Sequence, residues 1–390
     1  MYYVYVTIEK ILSETAPATR ILSDANLLTQ TGKKVIILSL DKIKPGVSIS
    51  FQGIEIISLR SLSNSIWQRA SNLIMHKKRL KDSLIKLYNE YVIEGIFFYD
   101  IPPHSILYLK KFAKKQNIKI FHDSVEWYSP QQFKWGKFAL PFVLKNIMNR
   151  RIIDKQVSVI TISRFLQNYF KAKGIKTIRI PIIMDMERIA CEKKKQEGKL
   201  KILYAGSPGR KDYLNMIIEG MSLLLKEDLN NIEFNVLGIT QQQLIQNCDV
   251  NENFLVKCGD NIMAHGRVTR EEVLEYLKYT DFTVLLRDPD LRYSKAGFPT
   301  KVVESLATAT PVICNLTSDL GEYLKNGDNC LIVNSCSATE LAETLKRAIA
   351  LSANEKRLLS YNARKTAEKN FDFRNYITEF SKFLKMKTQD

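Results

Sequence analysis

The chain has 390 residues, 45% of them hydrophobic and 25% charged, the balance of a soluble globular protein with two domains of ordinary size. Nothing in it approaches the ~18 apolar residues of a membrane-spanning helix, and its start lacks the pattern of a signal peptide. We therefore expect a cytoplasmic protein, whose six cysteines and four histidines are too scattered for a disulfide framework or a metal site.

The net charge of +17 is concentrated in the first half of the chain. Residues 1–185 hold 29 Lys and Arg against 13 Asp and Glu, whereas the remainder holds 29 against 28. This excess of positive charge favours binding to nucleic acid or to an anionic membrane surface. The alternative is a lysine-rich solvated surface without a partner. Because no nucleic-acid-binding motif accompanies the charge, we expect no nucleic-acid partner.

In the first half, short β-branched runs alternate with segments of helical periodicity, which favours a parallel sheet with helices on both faces. The predicted strands are residues 3–8, 35–40, 54–59, 96–99, 119–122 and 157–161. The predicted helices are residues 19–31, 65–91, 105–115, 138–155 and 164–173.

The polar stretch at residues 192–199 reads as a linker, and a second α/β series follows it. Its predicted strands are residues 200–205, 232–237, 262–264, 282–286, 312–315 and 330–333, and its closing helices are 338–351, 355–369 and 374–384.

The predicted class is therefore α/β, with two Rossmann-like doubly wound domains facing across a cleft. The first domain covers residues 1–185, onto which a C-terminal helix at about residues 371–390 packs back. The second domain covers residues 200–370. Ligands of such sheets bind beyond the carboxyl ends of the strands, so we expect each domain to hold one substrate.

Residues 297–306 are the most informative segment of the sequence. A glycine-containing loop enters a helix at Pro299, where proline is tolerated because first-turn amides lack helical partners. Thr300 and Lys301 stand in the first turn, so amides, helix dipole and lysine together suit a phosphate or pyrophosphate. One turn further, the Glu304 carboxylate can accept hydrogen bonds from ribose hydroxyls. The alternative is an ordinary capped core helix.

This segment, followed by Pro311-Val312-Ile313, resembles the retaining GT-B glycosyltransferases of the family-4 type. The runs at residues 317–329 and 202–212 are also similar to that family. The resemblance implies sugar transfer from a nucleoside diphosphate donor without a metal or other cofactor, a UDP-sugar being favoured. It implies donor contacts at the start and first turns of the helix, from Phe298, Pro299, Thr300, Lys301 and Glu304.

The same resemblance assigns roles to two further loops of the second half. After the strand at residues 200–205, Lys211 and then Arg210 would face the donor diphosphate, beside Gly206 and Ser207. Such cations stabilise the negative charge that grows as the sugar–phosphate bond breaks. The alternative is two solvated basic residues in a surface turn. Near the nucleotide base, the resemblance implies backbone contacts from Gly266 and Arg267.

In the first half, the segment at residues 121–127 resembles the family's histidine-containing loop. His122 would approach the donor sugar and donate a hydrogen bond to a hydroxyl, while Glu126 and Trp127 would line an acceptor pocket. The alternative for His122 is a hydrogen-bonded structural residue.

The predicted function is transfer of a hexose-type sugar to a lipid-linked saccharide in capsule, exopolysaccharide or cell-wall assembly. The basic and aromatic residues 134–138, leading into residues 142–151, suit peripheral docking on the inner face of the cell membrane. The family often has a second glutamate where this chain has Ala296, which leaves sugar identity open. Two alternatives also remain open, a sugar-nucleotide epimerase and a non-catalytic nucleotide-sugar-binding partner of another transferase.

Overall fold

A computed structural model describes residues 1–13, 15–44, 47–60, 68–191, 193, 198–206 and 211–385. The chain forms two compact units. The first comprises Met1–Tyr128, Lys137–Met184 and the C-terminal segment from Phe373. The second comprises Ser129–Gly136 and Asp185–Asp372. The short segment Ser129–Gly136, which lies within the predicted first domain, thus belongs to the second unit.

The first unit is built on an eight-stranded sheet with the order β3-β4-β2-β1-β5-β6-β7-β8, in which only β3 runs antiparallel to its neighbour. The chain starts at β1, winds outward through β2, then returns to β5 and winds outward in the other direction. The strands are β1 (Tyr2–Thr7), β2 (Lys34–Ser39), β3 (Ser48–Phe51), β4 (Ile54–Ser58), β5 (Ile93–Tyr99), β6 (Lys119–Ser124), β7 (Ser158–Thr161) and β8 (Thr177–Arg179).

Helices form the crossovers between these parallel strands, except between β2 and β4, where β3 lies in the connection. They are α1 (Ala16–Gln30), α2 (Gln68–Ile74), α3 (His76–Glu90), α4 (Pro103–Gln116), α5 (Leu140–Ile147) and α6 (Arg164–Ala172). A π-helical turn at Met148–Ile152 extends α5. The strands read as near-continuous apolar runs because both faces of the sheet are covered; in β1, every residue from Tyr3 to Thr7 is buried.

The second unit is built on a seven-stranded sheet with the order β11-β12-β10-β9-β13-β14-β15, and only β11 is antiparallel. Its strands are β9 (Leu200–Ala205), β10 (Ile232–Leu237), β11 (Ile239–Thr240), β12 (Ile262–Gly266), β13 (Phe282–Leu285), β14 (Val312–Cys314) and β15 (Cys330–Ile332). Its helices are α7 (Leu214–Ser222), α8 (Lys226–Asn230), α9 (Gln241–Cys248), α10 (Glu252–Cys258), α11 (Arg270–Lys278), α12 (Arg292–Ala296), α13 (Thr300–Ala307), α14 (Ala338–Ala350) and α15 (Ala353–Phe371).

The last helix, α16 (Ile377–Lys385), belongs to the first unit. Its Phe380 and Phe383 pack on Phe97 and Phe121 of the first sheet, at ring-centroid distances of 6.2 and 5.9 Å. Those two sheet residues stack at 4.5 Å, so α16 completes an aromatic core over β5 and β6.

The two doubly wound sheets confirm the predicted fold class, and each of the twelve predicted strands is present. The short strands β3, β8 and β11 were not predicted, because two to four residues give too little periodicity. The predicted helix at residues 65–91 is two helices, with Met75 between them; its residues 65–67 lie outside the described part of the chain. The predicted helix at residues 138–155 is the shorter α5 with its π-helical turn.

Candidate functional site

In both sheets the winding direction reverses beside the first strand, between β1 and β5 and between β9 and β13. The loops that leave such a switch point diverge, and the crevice between them is where ligands of open α/β sheets bind. Candidate functional residues are therefore expected at these two places, one in each unit.

At the switch point of the second unit, a buried ionic network joins the two diverging loops. Asp212, in the loop after β9, accepts a hydrogen bond of 2.6 Å from Arg287 Nε in the loop after β13. Its other oxygen accepts from Lys301 Nζ at 2.6 Å and from the Tyr204 hydroxyl at 2.7 Å. Backbone pairing supports this junction, since Tyr213 N donates to Leu286 O at 2.9 Å.

The network carries one carboxylate for two cations, so its net charge is positive. Burial by itself raises the pKa of Asp212, but Arg287 and Lys301 outweigh burial and hold that pKa well below its usual range. The Lys301 ammonium also lies 4.0 Å from the centre of the Tyr204 ring and donates to its hydroxyl at 2.6 Å. A fixed positive group at the mouth of a helix suits an anionic ligand.

Two glycines let the backbone close tightly around this lysine. Gly206, directly after β9, has φ +126°, and a Cβ there would lie 2.7 Å from Lys301 Cε. Gly238, directly after β10, has φ +101°, and its Cβ would lie 2.7 Å from the Gly206 carbonyl oxygen. The positive φ favours glycine at both positions, and at Gly238 the backbone of Gly206 also leaves no space for a Cβ. Gly206 was predicted from the sequence and Gly238 was missed, although a glycine at the end of a predicted strand is a signal for it.

Helix α13 begins at Thr300 with Pro299 as its N-cap residue, one residue after the predicted start. Thr300 and Lys301 stand in the first turn, and the half-buried Glu304 follows one turn later. Burial raises the pKa of Glu304, with Arg270 and Lys301 opposing the shift. Phe298 is buried against Tyr323 and Phe371, with ring centroids 5.7 and 5.8 Å away, so its ring serves the core of the unit.

A small cavity beside Glu304 has a volume of about 40 Å³ and is lined mainly by apolar residues of the sheet and of α11. That volume holds one or two waters and is too small for a nucleoside. The candidate donor site is therefore the open carboxyl edge of the sheet.

Of the remaining predicted donor residues, Lys211, Gly266 and Arg267 lie around the same edge of the sheet. Lys211 directly precedes Asp212, and its carbonyl accepts a hydrogen bond of 2.9 Å from the Tyr293 hydroxyl. Gly266 ends β12, and its carbonyl accepts from Gly238 N at 2.6 Å; Arg267 follows it and is exposed. Ser207 and Arg210 fall outside the described part of the chain. The donor roles of these residues stay predictions.

Asp212 and Tyr204 were not assigned to the site from the sequence. A lone aspartate after two basic residues is common on surfaces, so nothing local distinguished Asp212. The pairing depends on which strand neighbours β9, and the sheet order decides that.

At the switch point of the first unit lies a polar cavity of about 70 Å³. It is lined by side chains that follow β1, β5 and β6, together with residues of α1 and α5: Glu9, Pro17, Tyr99, Asp100, Asp123, Val125, Glu126, Tyr128 and Lys145. Burial, Asp100 and Glu126 together raise the pKa of Glu9. Lys145 Nζ lies 3.3 Å from Asp100 Oδ1. The cavity thus presents several oxygens and one ammonium, a set that can bind hydroxyl groups.

Of the predicted acceptor-side residues, Glu126 lines this cavity and Trp127 does not. The Trp127 ring is buried, its Nε1 donates to Asn146 Oδ1 at 2.9 Å, and it packs on Tyr169 at 4.5 Å. Arg20 is buried in an ion pair with Asp123 at 3.1 Å.

His122 lies within β6 and is fully buried. Its ring stacks on Phe98 at 4.7 Å, and Nδ1 lies 3.4 Å from the Phe98 carbonyl oxygen. Nε2 is buried and has no hydrogen-bond partner among the described residues. Burial and the nearby Lys145 lower the pKa of His122 to about 3, so the ring is neutral at neutral pH. Its predicted contact with the donor sugar stays a prediction.

Within the described residues, no group of three or more His, Cys, Asp and Glu side chains is arranged to hold a metal ion. No helix there is long and apolar enough to span a bilayer.

Residues 185–366 match the family described as glycosyl transferases group 1. This match covers the second unit almost completely and includes Lys301, Asp212 and Arg287. The second unit is therefore the part of the chain that is similar to this family. A comparison with curated protein sequences finds no match.

Solved structures share the fold over nearly the whole chain. Sucrose-phosphate synthase from Thermosynechococcus elongatus aligns with a TM-score of 0.74 and 14% identity, covering 98% of each chain. WaaG, a glycosyltransferase involved in lipopolysaccharide biosynthesis, aligns with a TM-score of 0.69 and 12% identity, covering 98% of this chain and 100% of that one. HepE from Anabaena, solved with UDP and glucose, aligns with a TM-score of 0.67 and 12% identity, covering 98% and 99%. These likenesses show the GT-B fold.

Proposed function

We propose that this chain is a retaining glycosyltransferase that moves a hexose-type sugar from a nucleoside diphosphate donor to a saccharide acceptor. The observation that carries the proposal is the positive network of Lys301, Asp212 and Arg287, at the switch point of the domain that matches glycosyl transferases group 1. A UDP-sugar is the favoured donor, because HepE, which shares the fold, was solved with UDP and glucose.

The proposed chemistry is electrostatic. The bond between the anomeric carbon and the diphosphate oxygen breaks, and its electron pair leaves on the diphosphate. The oxygen of the acceptor hydroxyl forms the new bond to the anomeric carbon, and the hydroxyl proton passes to the departing diphosphate. The first-turn amides of α13, Lys211 and Lys301 stabilise that charge, so the leaving group requires no metal ion. Glu304 accepts hydrogen bonds from the ribose hydroxyls and orients the nucleotide.

The polar cavity of the first unit is the proposed place of the acceptor hydroxyls. Carboxylates of Glu9, Asp100 and Glu126 line it and can accept hydrogen bonds from a sugar. The proposed acceptor is a lipid-linked saccharide of polysaccharide or cell-envelope assembly, which places the enzyme in the cytoplasm at the inner face of the cell membrane.

Donor binding is tested by calorimetry with UDP-, GDP-, ADP- and TDP-sugars. We expect one donor to bind the wild type, and Lys211→Ala and Glu304→Ala each to weaken it at least about tenfold, because a charge-assisted hydrogen bond contributes ~1.5–3 kcal/mol. Lys257→Ala, an exposed lysine on α10 of the same unit, is the matched control and should bind like the wild type. A folded wild type that binds none of the four donors would contradict the proposal.

Transfer is then tested by adding saccharide acceptors to the bound donor. A product glycoside whose anomeric configuration matches that of the donor supports retaining transfer. Isomerisation of the free donor without an acceptor would instead identify an epimerase, and tight binding without any turnover would identify a non-catalytic partner.

A further inference from the structure

Helix α5 of the first unit turns its apolar side to solvent. Leu140, Leu144 and Ile147 are 67, 36 and 38% exposed, and at ~100° per residue they lie within about 60° of one another on the helix. Phe138, just before the helix, is 77% exposed. A helix on the surface of a soluble domain normally shows the opposite arrangement, so this stripe marks an interaction surface.

Contacts made by the opposite side of α5 hold the helix in this orientation. Lys145 is only 5% exposed and pairs with Asp100 at 3.3 Å, which holds a polar residue toward the unit. Asn146 accepts a hydrogen bond of 2.9 Å from the buried indole of Trp127. At the far end, Lys173 Nζ donates to the carbonyls of Asn149 and Ile153 at 3.0 and 2.7 Å. Rotating the stripe inward would break all of these contacts.

The stripe lies in a segment without negative charge. Residues 127–153 contain no Asp or Glu, whereas five Lys and Arg occur there. Lys137 before the helix and Arg150 and Arg151 after it are exposed. An apolar stripe with basic residues at both ends has the composition of a helix that lies in the interface of an anionic bilayer.

Charge also argues against a second copy of this chain as the partner. Two copies meeting face to face through the stripe would bring their exposed arginines together, and like charges oppose such a contact. An anionic lipid surface satisfies the apolar and the basic parts of the face at once.

We infer that Phe138 and the Leu140–Leu144–Ile147 stripe of α5 form a docking surface for an anionic lipid bilayer. The inference names the surface that would carry the membrane location proposed above, and it does not depend on the transfer reaction. If both hold, docking brings the first unit to the bilayer in which a lipid-linked acceptor resides.

The test is sedimentation of the full chain with phosphatidylcholine vesicles, with and without phosphatidylglycerol. We expect binding only to the vesicles that contain phosphatidylglycerol, and weaker binding as salt is raised. The triple variant Leu140→Ser/Leu144→Ser/Ile147→Ser should lose at least about tenfold in vesicle affinity, because it removes the apolar area that enters the interface. The variant Lys137→Glu/Arg151→Glu should lose binding as well.

The matched control is Leu225→Ser/Val256→Ser/Leu358→Ser, which changes three exposed apolar residues of the second unit and should bind vesicles like the wild type. Circular dichroism and thermal unfolding check that every variant is folded, and UDP-sugar calorimetry on the same samples reports the donor site separately. Vesicle binding that is unchanged in the triple variant, or absent in the wild type, would overturn the inference. So would a wild-type dimer that the triple variant abolishes, since the stripe would then be a contact between copies.

Discussion

At the scale of single residues, the geometry of the candidate donor site depends on how closely the backbone approaches Lys301. Two properties of Gly206 matter here: its left-handed φ, and the 2.7 Å that would separate an added Cβ from Lys301 Cε. A side chain at position 206 would therefore strain the backbone and would also move the Lys301 ammonium. Comparing Gly206 with a glycine that shares only the positive φ separates these two effects.

We expect Gly206→Ala to destabilise the second unit by about 1–3 kcal/mol and to weaken donor binding at least about tenfold, because the methyl group displaces Lys301. Gly198→Ala is the matched control: Gly198 has φ +103° but nothing within 4 Å of a Cβ. It should lose a similar free energy of unfolding and keep its donor affinity. Denaturant unfolding and donor calorimetry measure the two effects. Equal donor affinity in both variants would show that the contact with Lys301 is unimportant.

His122 provides a prediction on pH. Its pKa is lowered to about 3 in the folded chain, so the folded state prefers the neutral ring. The stabilisation is complete above the unfolded pKa of ~6.5 and is lost as the pH falls from there toward 3. Between pH 8 and pH 5 we expect His122 to account for a loss of about 2 kcal/mol in the free energy of unfolding.

The variant His122→Phe keeps an aromatic ring against Phe98 and cannot titrate. Its unfolding free energy should therefore fall less between pH 8 and pH 5 than that of the wild type. His76, whose pKa is lowered to about 4 by burial and by its neighbours His104 and Arg79, continues to titrate in both proteins and serves as an internal reference. Parallel pH profiles for variant and wild type would show that His122 does not carry this pH dependence.

At the scale of elements, α15 holds the C-terminal end of α13, the candidate phosphate-binding helix. Arg364 of α15 donates to the Ala307 carbonyl of α13 at 2.5 Å, to Met186 O at 2.7 Å and to Ile189 O at 3.2 Å. Ala307 is the last residue of α13, so Arg364 satisfies a carbonyl that has no helical partner. The guanidinium thereby fixes α13 against the segment that opens the second unit.

We expect Arg364→Met to destabilise the chain by about 2–3 kcal/mol, because three carbonyl oxygens lose a charged donor. Arg364→Lys should recover little of that loss, since one ammonium cannot reproduce the guanidinium geometry. The control is Lys365→Met on the next position, where the side chain is 59% exposed and the loss should stay below about 0.5 kcal/mol. Denaturant unfolding measures all three, and equal losses at positions 364 and 365 would contradict the role given to Arg364.

At the scale of the whole molecule, the chain divides into two units, each with its own sheet and core. Such a chain is not expected to unfold in a single two-state transition. A donor nucleotide that binds the second unit stabilises that unit alone, by ~2.7 kcal/mol at a hundredfold excess over its Kd.

Scanning calorimetry should therefore show more than one transition, and UDP should raise the temperature of one transition and leave another in place. The Glu304→Ala variant provides the control, since its transitions should respond less to UDP. A single transition that moves as a whole with UDP would show that the two units unfold together.

The amino-acid sequence alone determined the fold class and the ligand-binding edge of each sheet. Apolar runs of three to six residues, separated by segments of helical periodicity, predicted both doubly wound sheets, since strand and helix periods are local properties. Local signals also predicted the start of α13 to within one residue, at Pro299 where the structure has Thr300. The carboxyl edge of each sheet as the ligand-binding side follows from the same alternation.

Only the tertiary structure decided which residues meet. Asp212 and Arg287 lie 75 positions apart, and they pair because β13 is placed beside β9, which no local pattern encodes. The helical signal at residues 138–155 did not reveal that Lys145 faces inward and the leucines outward, because periodicity gives an apolar stripe but not its direction. His122 stands at the end of a predicted strand, and its burial results from the packing of β6 between β5 and β7. Pairing and burial depend on long-range order, and that order is a property of the folded chain as a whole.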